Sequence, residues 1–152
     1  GKQELFARMV RERVENYMLG VGSALGSSED FEGGFRAYLQ HFASWGTGNK
    51  DFLRLLISVL RNPDGCHPDP DAARALEEAY LMAISSLMQR GLDEGSLRAA
   101  RSEVLAASLI GMLHANVWHV LERGEDSELA GTVHFVGDLF LQGARSGKEV
   151  GS

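Results

Sequence analysis

Between Val104 and Leu121 the chain carries no Asp, Glu, Lys or Arg. Wound as a helix, such a segment is apolar on every side, and a helix apolar all round must be covered all round. A chain of 152 residues builds one domain around one core. That leaves little spare surface to wrap such a helix, so the segment points to cover from a second copy of the chain. A membrane span is the alternative. The stretch reaches only the lower edge of spanning length, it contains His114, Asn116 and His119, and no second candidate follows it. It reads as the buried helix of a soluble protein.

The remaining pattern is helical throughout, with no strand-like alternation of useful length and no internal repeat. A first helix is predicted from Lys2 to Leu19, with Leu5, Phe6, Met9, Val10, Val14, Tyr17 and Met18 on one face. Gly20, Gly22 and Gly26 are expected to kink or stop it. A second runs from Phe31 to Trp45 behind Asp30 as N-cap. Its residues Phe31, Phe35, Tyr38, Phe42 and Trp45 recur at four- and three-residue steps and form a single aromatic stripe. A short, nearly buried helix spans Lys50–Leu60, with Asn49 as its cap, and the stretch from Asn62 to Asp69 is a Pro- and Gly-punctuated loop. Asp69 and Pro70 are a standard helix start and open a fourth helix to Arg90, after which Gly91 is expected to take the left-handed conformation that ends it. The fifth covers Ser102–Arg123, closed by Gly124, and the sixth Ser127–Ala144. Residues 146–152 are small and polar and are expected to be a disordered tail.

Charge and cysteine content narrow the function. The formal net charge of -6 opposes tight binding to a phosphate backbone by this chain alone. Cys66 is the only cysteine, which excludes an internal disulfide and a multi-cysteine zinc site and suits a reducing cytoplasm. The charged opening, with Lys2, Glu4, Arg8, Arg11, Glu12 and Arg13, lacks the pattern of a signal peptide. Asp64, His67, Asp69 and Asp71 fit no metal-binding spacing, so no metal or cofactor is expected. No nucleophile elbow, phosphate-binding glycine loop or His-Glu-x-x-His appears, and the chain does not read as an enzyme.

Three local patterns line up along the chain: the opening Gly-Lys-Gln-Glu-Leu-Phe, the short helix Asp51-Phe-Leu-Arg-Leu-Leu, and the turn Arg90-Gly-Leu-Asp-Glu-Gly-Ser-Leu-Arg98 ahead of Val104-Leu-Ala-Ala-Ser-Leu-Ile-Gly-Met-Leu. Together they resemble the regulatory domain of TetR-family transcriptional regulators, over about Lys2 to Ala144. One departure is visible: where the family often has Asp-Pro before the fifth helix, this chain has Arg101-Ser102. The resemblance implies an all-α, six-helix, homodimeric ligand-binding domain (residues 1–145) whose last two helices form an intersubunit four-helix bundle. It further implies a small apolar or amphipathic effector held among the second to fifth helices, and a DNA-binding helix-turn-helix head ahead of Lys2. The reading is an effector sensor of a repressor that does not bind DNA by itself. A mobility shift on arbitrary duplex at low salt checks that.

The candidate ligand contacts are Tyr38, Phe42, Trp45, Tyr80, Ile84, His114 and Trp118. Tyrosine, tryptophan and histidine bring a polar atom to an apolar wall, although the aromatic stripe equally fits core packing and a histidine on such a helix is commonly a hydrogen-bonded core residue. His114 and Trp118 are four apart and can touch. Ala107, Gly111 and Ala115 form a small-residue row that admits a close helix, and with Phe135, Leu139 and Phe140 they make the candidate dimer interface. The competing readings are a freestanding helical interaction module with a dry interior and, further off, a small helical enzyme.

Overall fold

The computed structural model describes residues 1–62, 65 and 69–147. Cys66 and the loop residues Asp64 and His67 lie outside them, as do residues 148–152 of the expected tail. The chain forms helices α1 (Lys2–Gly26), α2 (Phe31–Gly48), α3 (Lys50–Arg61), α4 (Pro70–Asp93), α5 (Ser102–Glu122) and α6 (Leu129–Ala144), with a 3-10 turn at Asp126–Glu128. It is all-α: no strand forms among the described residues, and an isolated bridge between Leu97 and Arg145 is the sole extended pairing there.

The predicted starts hold where capping chemistry sets them. Asp30 accepts a hydrogen bond from the Gly33 amide at 2.8 Å, and Asp69 accepts one from the Ala72 amide at 3.0 Å. Asn49 does not cap α3; its side-chain amide donates back to the Trp45 carbonyl at 2.9 Å.

Two predicted stops are corrected. α1 runs through Gly20 and Gly22 to Gly26, because Tyr17, Val21 and Ala24 on that stretch are buried against the body. Burial outweighs the propensity cost of about 1 kcal/mol per glycine. Gly20 is where the ring of His41 on α2 lies against α1, leaving no room for a Cβ. Gly91 likewise sits inside α4, where a Cβ would meet Leu97 at 2.7 Å and Phe31 at 2.8 Å. The left-handed residues are Gly95 (φ 77°) and Gly124 (φ 70°).

α5 lies between α4 and α6, and α2 packs across α1 and α6. The core is continuous: Tyr17 and Val21 of α1, Phe35, Tyr38 and Phe42 of α2, Ile84 and Leu87 of α4, Leu109, Leu113 and Val117 of α5, and Val133 and Val136 of α6. Polar clamps hold the joints. Arg90 donates to the carbonyls of Leu25 (3.0 Å) and Ser28 (3.1 Å), and Glu94 accepts from the Phe31 amide at 2.9 Å, so the end of α4 fixes the α1–α2 corner. Arg54 donates to the Leu121 carbonyl at the end of α5 at 2.8 Å. These contacts satisfy helix-end groups that have no intrahelical partner. Ser146, expected to begin the free tail, instead donates its amide to the Ser96 carbonyl at 3.0 Å.

Two surfaces stay uncovered. Ahead of Tyr17, α1 leaves Leu5, Phe6 and Met9 exposed. On α5 and α6, Val104 (53% exposed), Phe135 (66%) and Leu139 (47%) face solvent. α5 is the one helix among the described residues long and apolar enough to cross a membrane, and 44% of its apolar window is buried within the fold.

Candidate functional site

A cleft of ≈ 360 Å³ opens between α3, α4 and α5. Leu60 and Arg61 line it from α3, Glu77, Tyr80 and Leu81 from α4, and Ala107, Ile110, Gly111, His114 and Ala115 from α5. It exists because the row Ala107, Gly111 and Ala115 has so little side chain, and among the described residues no further helix fills the space they leave. A second depression of ≈ 470 Å³ runs along Gly1, Glu4, Leu5, Ala7, Arg8 and Arg11. All of its walls belong to the start of α1, and a single helix encloses nothing, so we place the site in the cleft, where three helices converge.

His114 dominates the cleft floor. It is 3% exposed and the one buried side chain that is not hydrophobic among the described residues. Its ring stacks on Phe42 of α2 (centroids 6.4 Å apart) and tilts against Tyr80 of α4 (6.0 Å). No protein group hydrogen-bonds to it among the described residues. Burial, aided by the positive charge of Arg61, lowers its pKa from 6.5 to about 4. The ring is therefore neutral at pH 7 and offers one N–H donor and one lone pair.

Behind Tyr80, three buried phenols meet. The Tyr80 hydroxyl is bonded to that of Tyr17 (3.1 Å) and to that of Tyr38. Burial, together with the neighbouring phenols, pushes all three pKa values well up, so the cluster is neutral and couples α1, α2 and α4. Tyr80 thus presents its ring to the cleft and its hydroxyl to α1 and α2.

Of the seven predicted ligand contacts, Tyr80 and His114 line the cleft. The other five do not. Tyr38 is fully buried in the phenol cluster, Phe42 lies beneath His114, and Ile84 is fully buried in the core. Trp45 packs between Tyr17 (4.6 Å) and Phe52 (5.5 Å), and Trp118 is half-buried against the core without reaching the ring of His114. The reason is common to them: the aromatic stripe of α2 faces the interior, where it is flanked by α1, α4 and α6. Phe140, predicted at the dimer interface, is buried and stacks on Phe35 at 5.9 Å. Ala107, Gly111 and Ala115 are exposed and form the cleft wall. Sequence reasoning missed Arg61, Glu77, Leu81 and Ile110 as wall residues and Tyr17 as a hydrogen-bonding group. Periodicity marked Tyr17 only as apolar, and Arg61 only as a polar exception at the end of α3.

A solved structure of a protein of unknown function from Rhodococcus sp. RHA1 has the same fold. It aligns with a TM-score of 0.74 at 11% identity, covering 96% of this chain and 76% of that one. The sequence matches no protein-family model and no curated protein. The likeness therefore concerns the fold of the six helices alone. Among the described residues no group of three or more His, Cys, Asp or Glu is placed to hold a metal ion.

The His114 environment predicts a pH dependence. Folding depresses this pKa, so between about 4 and 6.5 the unfolded chain holds the proton and the folded chain does not. The contribution is complete above pH 6.5, shrinks as pH falls, and is lost below about 4. Urea unfolding of the native protein and of His114→Gln at about pH 7.5 and about pH 4.5 will show the native protein losing about 2–3 kcal/mol more than the variant. Equal losses will place the imidazole in water.

Proposed function

We propose that this chain is the effector-sensing and dimerisation domain of a TetR-like transcriptional regulator, a repressor acting in the cytoplasm. The observation that carries the reading is the cleft itself, which ends on a buried histidine with no hydrogen-bond partner among the described residues. The buried unpaired polar atoms among the described residues are Ser85 Oγ and Asp126 Oδ1, and neither ring nitrogen of His114 is one of them. The polar edge of this otherwise buried ring is therefore open to the cleft and available to a ligand that enters it. A freestanding interaction module would have a dry, filled interior, and an opening of ≈ 360 Å³ favours a ligand instead.

In this reading the exposed Val104, Phe135 and Leu139 meet their counterparts on a second copy, and α5 and α6 of both protomers form a four-helix bundle. α1 carries the signal. Its exposed Leu5, Phe6 and Met9 seat a helix-turn-helix head, and its Tyr17 is bonded to the cleft residue Tyr80. Ligand binding shifts the domain between two arrangements only through its difference in affinity for them. That shift changes the spacing of the two DNA-reading heads across the dimer. Operator DNA is contacted through the heads and not through this acidic domain.

Native mass spectrometry of the purified chain tests subunit number and bound small molecule together. The expected spectrum is a dimer that gains small-molecule mass when a cleft ligand is present. A monomer at high micromolar concentration that takes up no small molecule overturns the reading.

A further inference from the structure

We propose that the cleft ligand is a small amphipathic organic anion, a carboxylic acid on an apolar body of about ten non-hydrogen atoms, held by Arg61 and His114. The inference rests on the cleft being a ligand site and adds the chemical class. Size comes first. A volume of ≈ 360 Å³ lies near the lower end of ligand pockets. It corresponds to roughly a dozen water molecules, at about 30 Å³ each. Leu60, Leu81 and Ile110 with the small residues of α5 make the walls apolar, which suits a hydrocarbon body and not a sugar or a nucleotide.

Charge decides the head group. Arg61 is exposed at the rim, and among the described residues no carboxylate forms an ion pair with it. Its positive field reaches the buried floor, where it helps keep His114 neutral. The other charge on the wall, Glu77, is half-buried and does not figure among the charges acting on His114. The cleft therefore offers one guanidinium at its rim and, on its floor, an imidazole N–H with no acceptor among the described residues. The Tyr80 hydroxyl is already committed to Tyr17 and Tyr38. A carboxylate answers both needs, accepting from the imidazole N–H and pairing with the guanidinium. A ligand cation could pair with Glu77, but it would face the Arg61 guanidinium and leave the imidazole N–H unpaired.

Octanoate and octanamide, alike in size and differing in charge, are the probes. Calorimetric titration of the native protein, with amide NMR shifts to locate binding, is expected to show octanoate perturbing Tyr80, Ile110 and Ala115 and octanamide binding at least tenfold more weakly. Arg61→Gln, an exposed change that does not threaten folding, is expected to weaken octanoate at least tenfold and leave octanamide unchanged. Glu77→Gln is expected to tighten octanoate at least twofold. Equal binding of the two probes at the cleft overturns the anion assignment and leaves the cleft a ligand site, as does Arg61→Gln without effect. If neither probe perturbs those residues, both the anion assignment and the ligand reading of the cleft fail.

Discussion

If the chain pairs through α5 and α6 as proposed, glutamate at both Phe135 and Leu139 will raise the dimer dissociation constant about a thousandfold, leaving a folded monomer. Phe135 is 66% and Leu139 47% exposed, and Val104 on the neighbouring α5 is 53% exposed. Full burial of such a side chain contributes about 1.5–3 kcal/mol. Roughly half of each is left to bury here, so the four side chains lost across a symmetric dimer remove roughly 4 kcal/mol, and each 1.4 kcal/mol is a factor of ten. The new carboxylates would also have to leave water, which adds to the loss. Analytical ultracentrifugation across micromolar concentrations reads the result. Leu19→Glu and Met82→Glu are the controls: both residues are apolar and more exposed, but they lie on α1 and α4. They will leave the dissociation constant unchanged. A native protein that sediments as a monomer, or a double variant that still pairs like the native chain, rules out the α5–α6 face.

Phe42→Ala will cost about 3–5 kcal/mol of stability, the usual range for removing a buried phenyl ring. Phe42 is 1% exposed and lies under His114 and beside Tyr38, so the ring packs between the cleft floor and one member of the phenol cluster. α2 and α5 are held apart by the helices around them and cannot collapse fully into the space. For a chain of this size each kcal/mol moves Tm by about 2–4 °C, so thermal unfolding should drop by roughly 10 °C. Phe42→Leu fills most of the space and will cost less. A loss below about 1 kcal/mol for the alanine variant would mean that this ring is not part of the core.

Much of the helical framework is legible in the sequence. Asp30, Asp69 and Pro70 mark helix starts by local chemistry, and Gly124 marks an end by its backbone freedom. What misled was glycine inside helices, at Gly20 and Gly91, and the structure has more of the same kind. Gly20, Gly34, Gly46, Gly91 and Gly137 lie within helices, where a Cβ would collide with a side chain of another element. In sequence, a glycine that ends a helix and one that lets another element come close look alike. The first depends on its neighbours along the chain and the second on residues far from it. Gly91 shows the difference: the turn was predicted correctly to lie nearby, but the left-handed residue is Gly95, and Gly91 makes room for Leu97 and Phe31.

The site was half visible. His114 and Tyr80 stand out as polar atoms on apolar helices, whereas Tyr17, Tyr38 and Trp45 show the same pattern and belong to the interior. Periodicity assigns a residue to a face but not to the helix across from it.

By itself, the order of residues determined that six helices form, where most of them begin, and that the charge-free fifth one has too much apolar surface to be left in water. These follow from capping, helix propensity and hydrophobic period, all of which act within a few turns of chain. The tertiary structure alone decided that the small residues of α5 open a cleft, that His114 is left there without a partner among the described residues, and that three tyrosines from three helices share their hydroxyls. Those outcomes depend on how distant helices pack and which groups water can no longer reach, and no local pattern encodes that distance.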